Sequence, residues 1–353
     1  MAEKVLMKGN EAIAYAAVHA GCRYFFGYPI TPQTEIAAYM AKNLPKAGGV
    51  FLQAESEIAA INMVYGAAGA GARVMTSSSS PGISLKQEGI SYIAGADLPC
   101  VIVNIMRAGP GLGGILPSQS DYFQATKGGG HGDYHMIVLA PSTIQEMVDI
   151  TVEAFDLADK YRMPVMILGD GILGQMMEPI ELNIAKTPEI IAKPWATTGT
   201  QCKRKKNIIN SLNTNAPELE QWNIARQKRY DEVIANEPRA KTDIEGADVI
   251  FSAFGTSARI CKTAIELLAE KGIKAGLIRP ITLFPFPVYA YKDVKKPIIV
   301  VEMNHGQMVE DVRLAAPNVR VGFYGRSGGM VPIPADIVDY TLKFINEGLS
   351  EIV

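Results

Sequence analysis

The sequence has no excess of charge of either sign, because 34 basic residues face 36 acidic ones for a net charge of -2. Nucleic-acid-binding proteins usually carry a basic excess, so this balance argues against that class. No apolar run approaches the roughly 20 residues of a membrane-spanning helix. The first residues also lack the apolar stretch of a signal peptide. We therefore expect a cytoplasmic protein that binds neither nucleic acid nor a membrane.

Cysteine is scarce as well, and Cys22, Cys100, Cys202 and Cys261 form no Cys-x-x-Cys pair. We therefore expect neither a zinc site nor an iron–sulfur cluster on this chain. Scattered cysteines in a cytosolic protein are usually reduced and buried. Cys202 adjoins the basic run 203–206, which could lower the pKa of its thiol, although an unreactive exposed thiol is the simpler interpretation.

Hydrophobic residues make up 48% of the 353 residues, a length that suits two or three domains of roughly 100–200 residues each. In residues 1–185, apolar strands such as 100–105 alternate with helical segments such as 142–161. This alternation is typical of an α/β fold, with a parallel sheet covered by helices on both faces. One helix is predicted to start near Thr31 and Pro32, with Thr31 as its N-cap.

Residues 186–240 interrupt the alternation with a largely polar stretch, interpreted as a linker or an excursion across a partner. Its basic run could contact a phosphate, or it could be an ordinary solvated face. Strand and helix patterns resume at residue 248 and continue to the end of the chain. We therefore predict a second, smaller α/β domain over residues 241–353.

Two loops at predicted strand ends are candidate binding sites. Residues 28–32 (Tyr-Pro-Ile-Thr-Pro) join a strand to a helix, and ligands of parallel sheets bind outside the carboxyl ends of strands. Thr31 could offer its hydroxyl to a carboxylate there, or could simply cap its own helix. Arg107 follows the apolar strand 100–105 on a glycine-rich loop, where a guanidinium could grip a carboxylate or remain a surface charge.

Glu55 and Glu57 begin another predicted helix, where acids ordinarily complement the helix dipole. A catalytic interpretation needs one carboxylate in an apolar setting, among the alanines and glycines that follow. Two other patterns are weaker. His131 and His135 lie among glycines and have no evident third metal ligand. The triplet 169–171 (Gly-Asp-Gly) resembles the start of a thiamine diphosphate and magnesium motif, but the closing asparagine of that motif is missing.

Taken together, these segments resemble the alpha-type subunit of 2-oxoacid:ferredoxin oxidoreductases, with the branched-chain (2-oxoisovalerate) members closest. The resemblance covers nearly the whole chain. It rests on residues 27–32, 54–60, 76–84, 107–111, 173–179, 279–285 and 301–304. It implies a thiamine diphosphate-binding fold over residues 1–185, and a domain like the transketolase C-terminal domain over residues 241–353.

The resemblance also implies roles for residues. Glu57 matches the glutamate that contacts N1′ of the thiamine pyrimidine, where a shared proton favours the imino tautomer. Thr31 and Arg107 match positions that grip the carboxylate and carbonyl oxygens of the substrate. The remaining cofactor-binding positions would be Tyr28, Pro29, Ser79, Pro81 and Gly82.

In this family, a beta-type subunit holds the diphosphate and Mg²⁺. A gamma-type and a ferredoxin-like subunit complete the assembly, with iron–sulfur clusters on partner chains. Coenzyme A accepts the acyl group and ferredoxin takes the electrons, so the chain is expected to be inactive alone. Relatives that use 2-oxoglutarate often have Ser-Thr-Gly where this chain has Gly-Leu-Gly at 111–113. We therefore expect a branched apolar 2-oxoacid as the substrate.

Other interpretations stay open from the sequence. The chain could belong to a 2-oxoglutarate- or pyruvate-specific enzyme, or it could mainly organise such a complex. An unrelated α/β enzyme that binds a nucleotide at the same strand ends would need a phosphate-binding loop, and the glycines at 66, 69 and 71 do not form one.

Overall fold

The structure is a computed structural model that describes residues 4–182 and 191–347. In chain order, its strands are β1 (Lys4–Lys8), β2 (Tyr24–Gly27), β3 (Val50–Gln53), β4 (Val74–Ser78), β5 (Cys100–Met106), β6 (Ile137–Leu139), β7 (Pro164–Asp170), β8 (Met177–Glu181), β9 (Ala240–Asp243), β10 (Val249–Ser252), β11 (Ala275–Pro280), β12 (Thr282–Phe284), β13 (Ile298–Glu302) and β14 (Val321–Gly325).

The helices are α1 (Gly9–His19), α2 (Thr34–Asn43), α3 (Glu57–Gly69), α4 (Pro81–Gly95), α5 (Tyr122–Thr126), α6 (Ile144–Tyr161), α7 (Gly171–Gln175), α8 (Ala216–Asn236), α9 (Gly255–Glu270), α10 (Met308–Ala315) and α11 (Pro334–Glu347). Short 3₁₀ turns span Pro45–Ala47 and Val288–Ala290. None of the helices in the described part of the chain has the length and apolar character needed to traverse a bilayer.

The larger sheet has the strand order β12-β6-β7-β5-β4-β2-β3 and is parallel except for β12. Its centre is β5, whose seven residues are all buried between β4 and β7. A continuous apolar strand is stable in such a position because helices cover both faces of the sheet. Since the strands are parallel, the residues that follow β2, β4 and β5 meet at one edge.

The smaller sheet has the order β14-β13-β10-β11-β9, with β9 antiparallel to β11. The chain therefore contains the predicted succession of two α/β sheets. The two sheets are not independent units, because β12 comes from the second half of the sequence and pairs with β6 of the larger sheet. That crossing was not predicted, since a three-residue strand has too little periodicity to recognise.

Two local predictions were wrong. Helix α2 begins at Thr34, so Thr31 does not cap it, and Gln33 occupies the position before the helix. The stretch 186–240 is not all linker, because α8 extends for 21 residues within it. Arg226 of α8 donates to Asp97 at 3.0 Å and to the Gly95 carbonyl at 2.8 Å. This helix therefore lies against its own chain, after α4.

An ion-pair cluster joins the two halves of the chain. Glu146 of α6 accepts from both terminal nitrogens of Arg279, at 3.0 and 2.7 Å, and from Lys241 at 2.7 Å. Burial alone would raise the pKa of Glu146, but the Lys241 hydrogen bond and the charge of Arg279 outweigh it and lower that pKa to about 2. A carboxyl whose pKa is lower in the folded than in the unfolded protein stabilises the fold at pH values above its unfolded pKa. This stability is lost as the pH falls through its folded pKa.

We therefore expect Glu146→Gln to lower the free energy of unfolding at pH 7 by roughly 1.5–3 kcal/mol, the range for a charge-assisted hydrogen bond. The difference from wild type should shrink as the pH falls from about 4.5 toward 2. Urea denaturation at several pH values measures the free energy of unfolding. Glu245→Gln, at an exposed position, is the control variant. Equal stability of Glu146→Gln and wild type at pH 7 would contradict the prediction.

Candidate active site

Arg107 lies directly after β5, and only 6% of its surface is exposed. Its guanidinium donates to the Thr31 carbonyl at 3.0 Å and to the Leu112 carbonyl at 3.0 Å. Its Nε–H is buried and has no partner among the described residues. The fold thus brings together the two loops that the sequence analysis singled out. Thr31 itself is exposed, so its hydroxyl is accessible.

The loop after Arg107 is closed at its base by a hydrogen bond from the Ala108 amide to the Leu116 carbonyl, at 2.9 Å. Gly113 has a φ of 57°, and a Cβ there would lie 1.9 Å from the Ala108 carbonyl oxygen. Only glycine fits this turn. The glycine-rich sequence therefore shapes a tight loop that supports Arg107.

A polar cluster beside Arg107 was not predicted. Ser80 has a φ of 26°, which is rare for a residue with a side chain,. Its hydroxyl donates to Asp121 at 2.6 Å and accepts from the Arg107 amide at 3.0 Å. Asn104 donates to the same Asp121 oxygen at 2.9 Å. Burial raises the pKa of Asp121, although the hydrogen bonds from Ser80 and Asn104 lower it in part.

Ser80, Arg107 and Asp121 line a cleft of about 890 Å³ between the two halves of the chain. One wall consists of the Arg107 loop and the start of α4. The other is formed by residues of the smaller domain, including Asn304, His305, Gln307 and Gly328. Asn304 is held by hydrogen bonds to the Gln119 carbonyl and to Glu302, both at 2.8 Å. Only the tertiary fold could reveal this second wall, which comes from sequence some 200 residues away.

Glu57 is the first residue of α3 and is 6% exposed. It is preceded by Ser56, whose hydroxyl accepts from the Ala59 amide at 3.2 Å and caps the helix. Within the described residues, no hydrogen bond or ion pair to the Glu57 carboxylate is found. A largely buried carboxyl is stabilised when a partner binds it, so Glu57 is available to a ligand while it also complements the dipole of α3,.

Gly82 packs directly against Glu57. A Cβ at position 82 would lie 2.8 Å from Glu57 Oε1 and 2.1 Å from Ser78 Oγ. The backbone of α4 therefore approaches the carboxyl as closely as glycine permits. The hydroxyls of Ser78 and Ser79 are buried and also lack partners among the described residues. A partnerless carboxyl and two partnerless hydroxyls beside a glycine are the donor and acceptor set that a flat nitrogen heterocycle needs.

The remaining predicted cofactor positions lie in the same region. Pro81 lies on the cleft, between Ser80 and Gly82. Tyr28 is 37% exposed, and Pro29 is exposed as well. Gln33 is almost completely buried and ties this loop to β4, since its amide donates to the Tyr28 carbonyl at 3.2 Å and accepts from the Ser77 hydroxyl at 2.5 Å.

Asp170 of the Gly-Asp-Gly triplet has a structural role. It accepts from the amides of Ile172 and Leu173 at 3.0 and 3.1 Å, and from the Thr256 hydroxyl at 2.8 Å. Burial raises its pKa. His135 stacks on Phe284 at 4.3 Å between ring centroids. In residues 4–182 and 191–347, no three His, Cys, Asp or Glu side chains are grouped as metal ligands.

Of the missed residues, Asn104 could have been found, because it is a polar residue inside the apolar strand 100–106. Asp121 carries no such signal, since it lies in a polar loop. The cysteines follow the predictions: Cys22, Cys100 and Cys261 are buried, and Cys202 is exposed.

Comparison with known proteins shows which families the two halves of the chain match. Residues 15–236 match the family described as pyruvate flavodoxin/ferredoxin oxidoreductase, thiamine diphosphate-binding. Residues 247–337 match pyruvate:ferredoxin oxidoreductase core domain II. The chain is 50% identical over 328 residues to ketoisovalerate oxidoreductase subunit VorB of Methanothermobacter marburgensis, covering 92% of this chain and 93% of that protein.

Two solved structures are similar in fold. One is the 2-oxoglutarate:ferredoxin oxidoreductase of Magnetococcus marinus, at a TM-score of 0.88 and 30% identity over 98% of this chain. This chain spans 66% of the length of that one. The other is a split-gene transketolase, at a TM-score of 0.61 and 14% identity, covering 96% of this chain and 97% of that one. The predicted fold class, a thiamine-binding α/β domain followed by a transketolase-like α/β domain, is confirmed.

Proposed function

The chain belongs to the pyruvate flavodoxin/ferredoxin oxidoreductase family and is a subunit of a 2-oxoacid:ferredoxin oxidoreductase, and from this premise we propose how its residues act. We propose that it is the subunit that holds the aminopyrimidine of thiamine diphosphate. In this role it serves the oxidative decarboxylation of a branched-chain 2-oxoacid to an acyl-coenzyme A and CO₂. The observation that carries the proposal is the buried, partnerless Glu57 carboxyl against Gly82, beside the Arg107 cleft.

The residues fit the pyrimidine ring. Glu57 would hold the proton at N1′ of the ring, and Gly82 lets the backbone of α4 approach its carboxyl closely. The partnerless hydroxyls of Ser78 and Ser79 support binding at the same place. When bound, thiamine diphosphate supplies the electron sink for decarboxylation. The protein's own task is to orient the ring and to position a proton.

Arg107 and Thr31 would bind the substrate. The Arg107 guanidinium already spans two backbone carbonyls, which fixes its plane, and its Nε–H remains without a partner. A fixed guanidinium binds a carboxylate with little loss of conformational entropy. The exposed Thr31 hydroxyl lies on the loop that Arg107 holds. Tyr28, Pro29, Pro81 and the Ser79 backbone would enclose the cofactor from the same edge of the sheet.

We place the diphosphate and Mg²⁺ on a beta-type partner subunit. Asp170, the residue that resembles a magnesium ligand, is occupied by α7 and Thr256. Gamma-type and ferredoxin-like subunits would complete the enzyme, with iron–sulfur clusters on partner chains that pass electrons to ferredoxin. Coenzyme A would be the acyl acceptor. The structure titled 2-oxoglutarate:ferredoxin oxidoreductase contains coenzyme A and succinyl-coenzyme A, which supports this part of the proposal.

The chemistry of the Arg107 loop favours an apolar substrate. Leu112 is 82% exposed, and Ile115 and Leu116 are 61% and 56% exposed. These three side chains offer no hydroxyl or cation to a second carboxylate, which 2-oxoglutarate would bring. The 50% identity to a ketoisovalerate oxidoreductase subunit points the same way. The alternative, a 2-oxoglutarate enzyme, is supported by the fold match and by a lower identity, 41%, to 2-oxoglutarate synthase subunit KorA of Archaeoglobus fulgidus.

The assembled complex should therefore have a higher kcat/KM with 2-oxoisovalerate than with 2-oxoglutarate. Leu112→Thr should reduce this preference, because it removes apolar contact and adds a hydroxyl. Steady-state assays with both substrates measure the ratio of their kcat/KM values. Leu314→Thr, at a residue that is 78% exposed and belongs to α10, is the matched control. A preference of the wild-type complex for 2-oxoglutarate would refute the branched-chain assignment.

A further inference from the structure

Ser80, Asn104 and Asp121 form a closed ring of hydrogen bonds to which the proposed function assigns no role. The Ser80 amide donates to Asn104 Oδ1 at 3.1 Å. The side-chain nitrogen of Asn104 donates to Asp121 Oδ2 at 2.9 Å, and the Ser80 hydroxyl donates to the same oxygen at 2.6 Å. Each of the three residues is therefore held in place by the other two.

The ring contacts the main chain of Arg107. The ladder between β4 and β5 ends with the pair Ser78 and Asn104. Beyond this pair, the Arg107 amide donates to the Ser80 hydroxyl at 3.0 Å, and the Arg107 carbonyl lies 3.2 Å from that hydroxyl. A single serine oxygen thus contacts both main-chain polar groups of Arg107, where the partner strand no longer does.

Asp121 determines the orientation of the Ser80 hydroxyl. A serine hydroxyl has one proton to donate and two lone pairs with which to accept. The Asp121 oxygen is the nearer of its two acceptors, at 2.6 Å compared with 3.2 Å for the Arg107 carbonyl. With its proton directed to Asp121, the serine oxygen presents a lone pair to the Arg107 amide.

The backbone of Ser80 is strained, although its side chain makes these contacts. Its φ of 26° is a conformation that residues with a side chain rarely adopt and that glycine adopts more easily,. Strained residues persist only where the surrounding structure over-determines them, and they cluster at active sites. The bonds to Asn104, Asp121 and Arg107 supply that determination.

The loop that carries Asp121 is bound to the opposite wall of the cleft. The Gln119 amide donates to the Met303 carbonyl at 3.0 Å, and the Gln119 carbonyl accepts from Asn304 at 2.8 Å. Met303 and Asn304 line the cleft from the smaller domain. Asp121 therefore connects the main chain of Arg107 to residues of the second wall.

We propose that Asp121 is a positioning residue for the substrate, and that it acts through the Ser80 hydroxyl to hold the main chain of Arg107 in the orientation that binds the 2-oxoacid carboxylate. This inference rests on the substrate-binding role proposed for Arg107. It adds a second set of restraints, on the backbone of Arg107, to the two carbonyls that hold its guanidinium. A preorganised cation loses less conformational entropy when it binds a ligand.

The test is a double-substitution cycle in the assembled complex, with KM for 2-oxoisovalerate, kcat and thiamine diphosphate affinity as readouts. Asp121→Ala and Ser80→Ala should each raise KM about 10-fold, as expected for the loss of a hydrogen bond. Neither should change kcat or the cofactor affinity appreciably. The double variant should resemble each single variant, because the two residues act as a unit. Multiplied effects would overturn the inference, since Asp121 would then act independently of Ser80.

Two conservative variants separate positioning from a general loss of structure. Asp121→Asn keeps an acceptor for the Ser80 hydroxyl, so its KM should stay within about threefold of wild type. A loss equal to that in Asp121→Ala would overturn the inference. Ser80→Gly lacks the hydroxyl but tolerates the positive φ, so its melting temperature should stay near that of wild type while its KM rises. It also serves if the alanine variants do not fold.

Ser84→Ala is the matched control. Ser84 follows Ser80 by one turn of α4 and lines the same cleft, and no hydrogen bond joins its side chain to Arg107 or Asp121 among the described residues. Its KM should equal that of wild type. A normal KM in Arg107→Lys would overturn the proposed substrate site itself. A raised KM in Arg107→Lys with normal values in Ser80→Gly and Asp121→Ala would overturn this inference alone.

Discussion

Replacement of Glu57 by glutamine is expected to lower the decarboxylation rate of the assembled complex by about 10³-fold or more, within the range for loss of a general acid–base group. Glutamine has the same shape, so it should fit between α3 and Gly82 without a clash. It cannot exchange a proton with a ring nitrogen. The loss should therefore appear in kcat, while the fold and the assembly of the complex stay as in wild type.

The neighbouring acid provides a matched control. Glu55 is exposed and lies before the cap of α3, so Glu55→Gln should retain nearly full activity. Steady-state kinetics of both variants, with circular dichroism and size-exclusion chromatography to verify folding and assembly, would check the prediction. High activity of Glu57→Gln would show that the chemistry lies on another subunit and that this chain mainly organises the complex.

Replacement of Arg107 by lysine should lower kcat/KM for the 2-oxoacid by about 100-fold, mainly through a higher KM. Truncating a buried, hydrogen-bonded charge typically costs 2–5 kcal/mol. A lysine keeps the charge but cannot span the Thr31 and Leu112 carbonyls, each 3.0 Å from a guanidinium nitrogen, and also bind a carboxylate,. The substrate would then meet a mobile cation on a less ordered loop.

The control for this variant is another arginine near the cleft. Arg326 precedes two residues that line the cleft and pairs with Asp336 at 3.3 Å. Arg326→Lys preserves that partly exposed pair, and its KM should stay close to that of wild type. Thiamine diphosphate affinity should change little in Arg107→Lys, because Glu57 and Gly82 are untouched. A normal KM for the 2-oxoacid in Arg107→Lys would remove Arg107 from the substrate site.

The parts of the candidate site that depend on short-range sequence patterns were predictable from the sequence, and the parts that depend on contacts between distant residues were not. The proximity of Arg107 and Thr31 was predictable, because parallel strands place their carboxyl ends at one edge of the sheet,. The role proposed for Glu57 came from family resemblance, since a helix-starting acid has an ordinary explanation. The complete burial of Lys86 on α4 was not predicted, because a lysine on a helix usually reaches solvent,. Its ammonium donates to Thr76 and Ser77 of β4, which only the folded chain brings beside α4.

The boundaries of single elements show the same limit. Helix α3 begins at Glu57, in the region where the sequence predicts a helix start, because Ser56 is a good N-cap before a continuous helical run,. Helix α2 starts at Thr34, three residues after Thr31. The residue before it, Gln33, accepts a hydrogen bond from Ser77 of β4. Helix α8 lies in a sequence rich in charged and polar residues and was not recognised. It is stabilised by hydrogen bonds from Arg226 to Asp97 and to the Gly95 carbonyl, two residues that are distant from it in the sequence.

The order of apolar strands and helices, which reflects short-range periodicity, was enough to establish the α/β class, the two successive sheets and the loops that carry Thr31 and Arg107. Long-range packing decided the rest. It closed the cleft with Asn304 and His305, buried Glu57 beside a glycine, and buried Lys86 against β4. The physical reason is that burial and proton affinity depend on neighbours in space, and these neighbours are up to 200 or more residues apart along the chain.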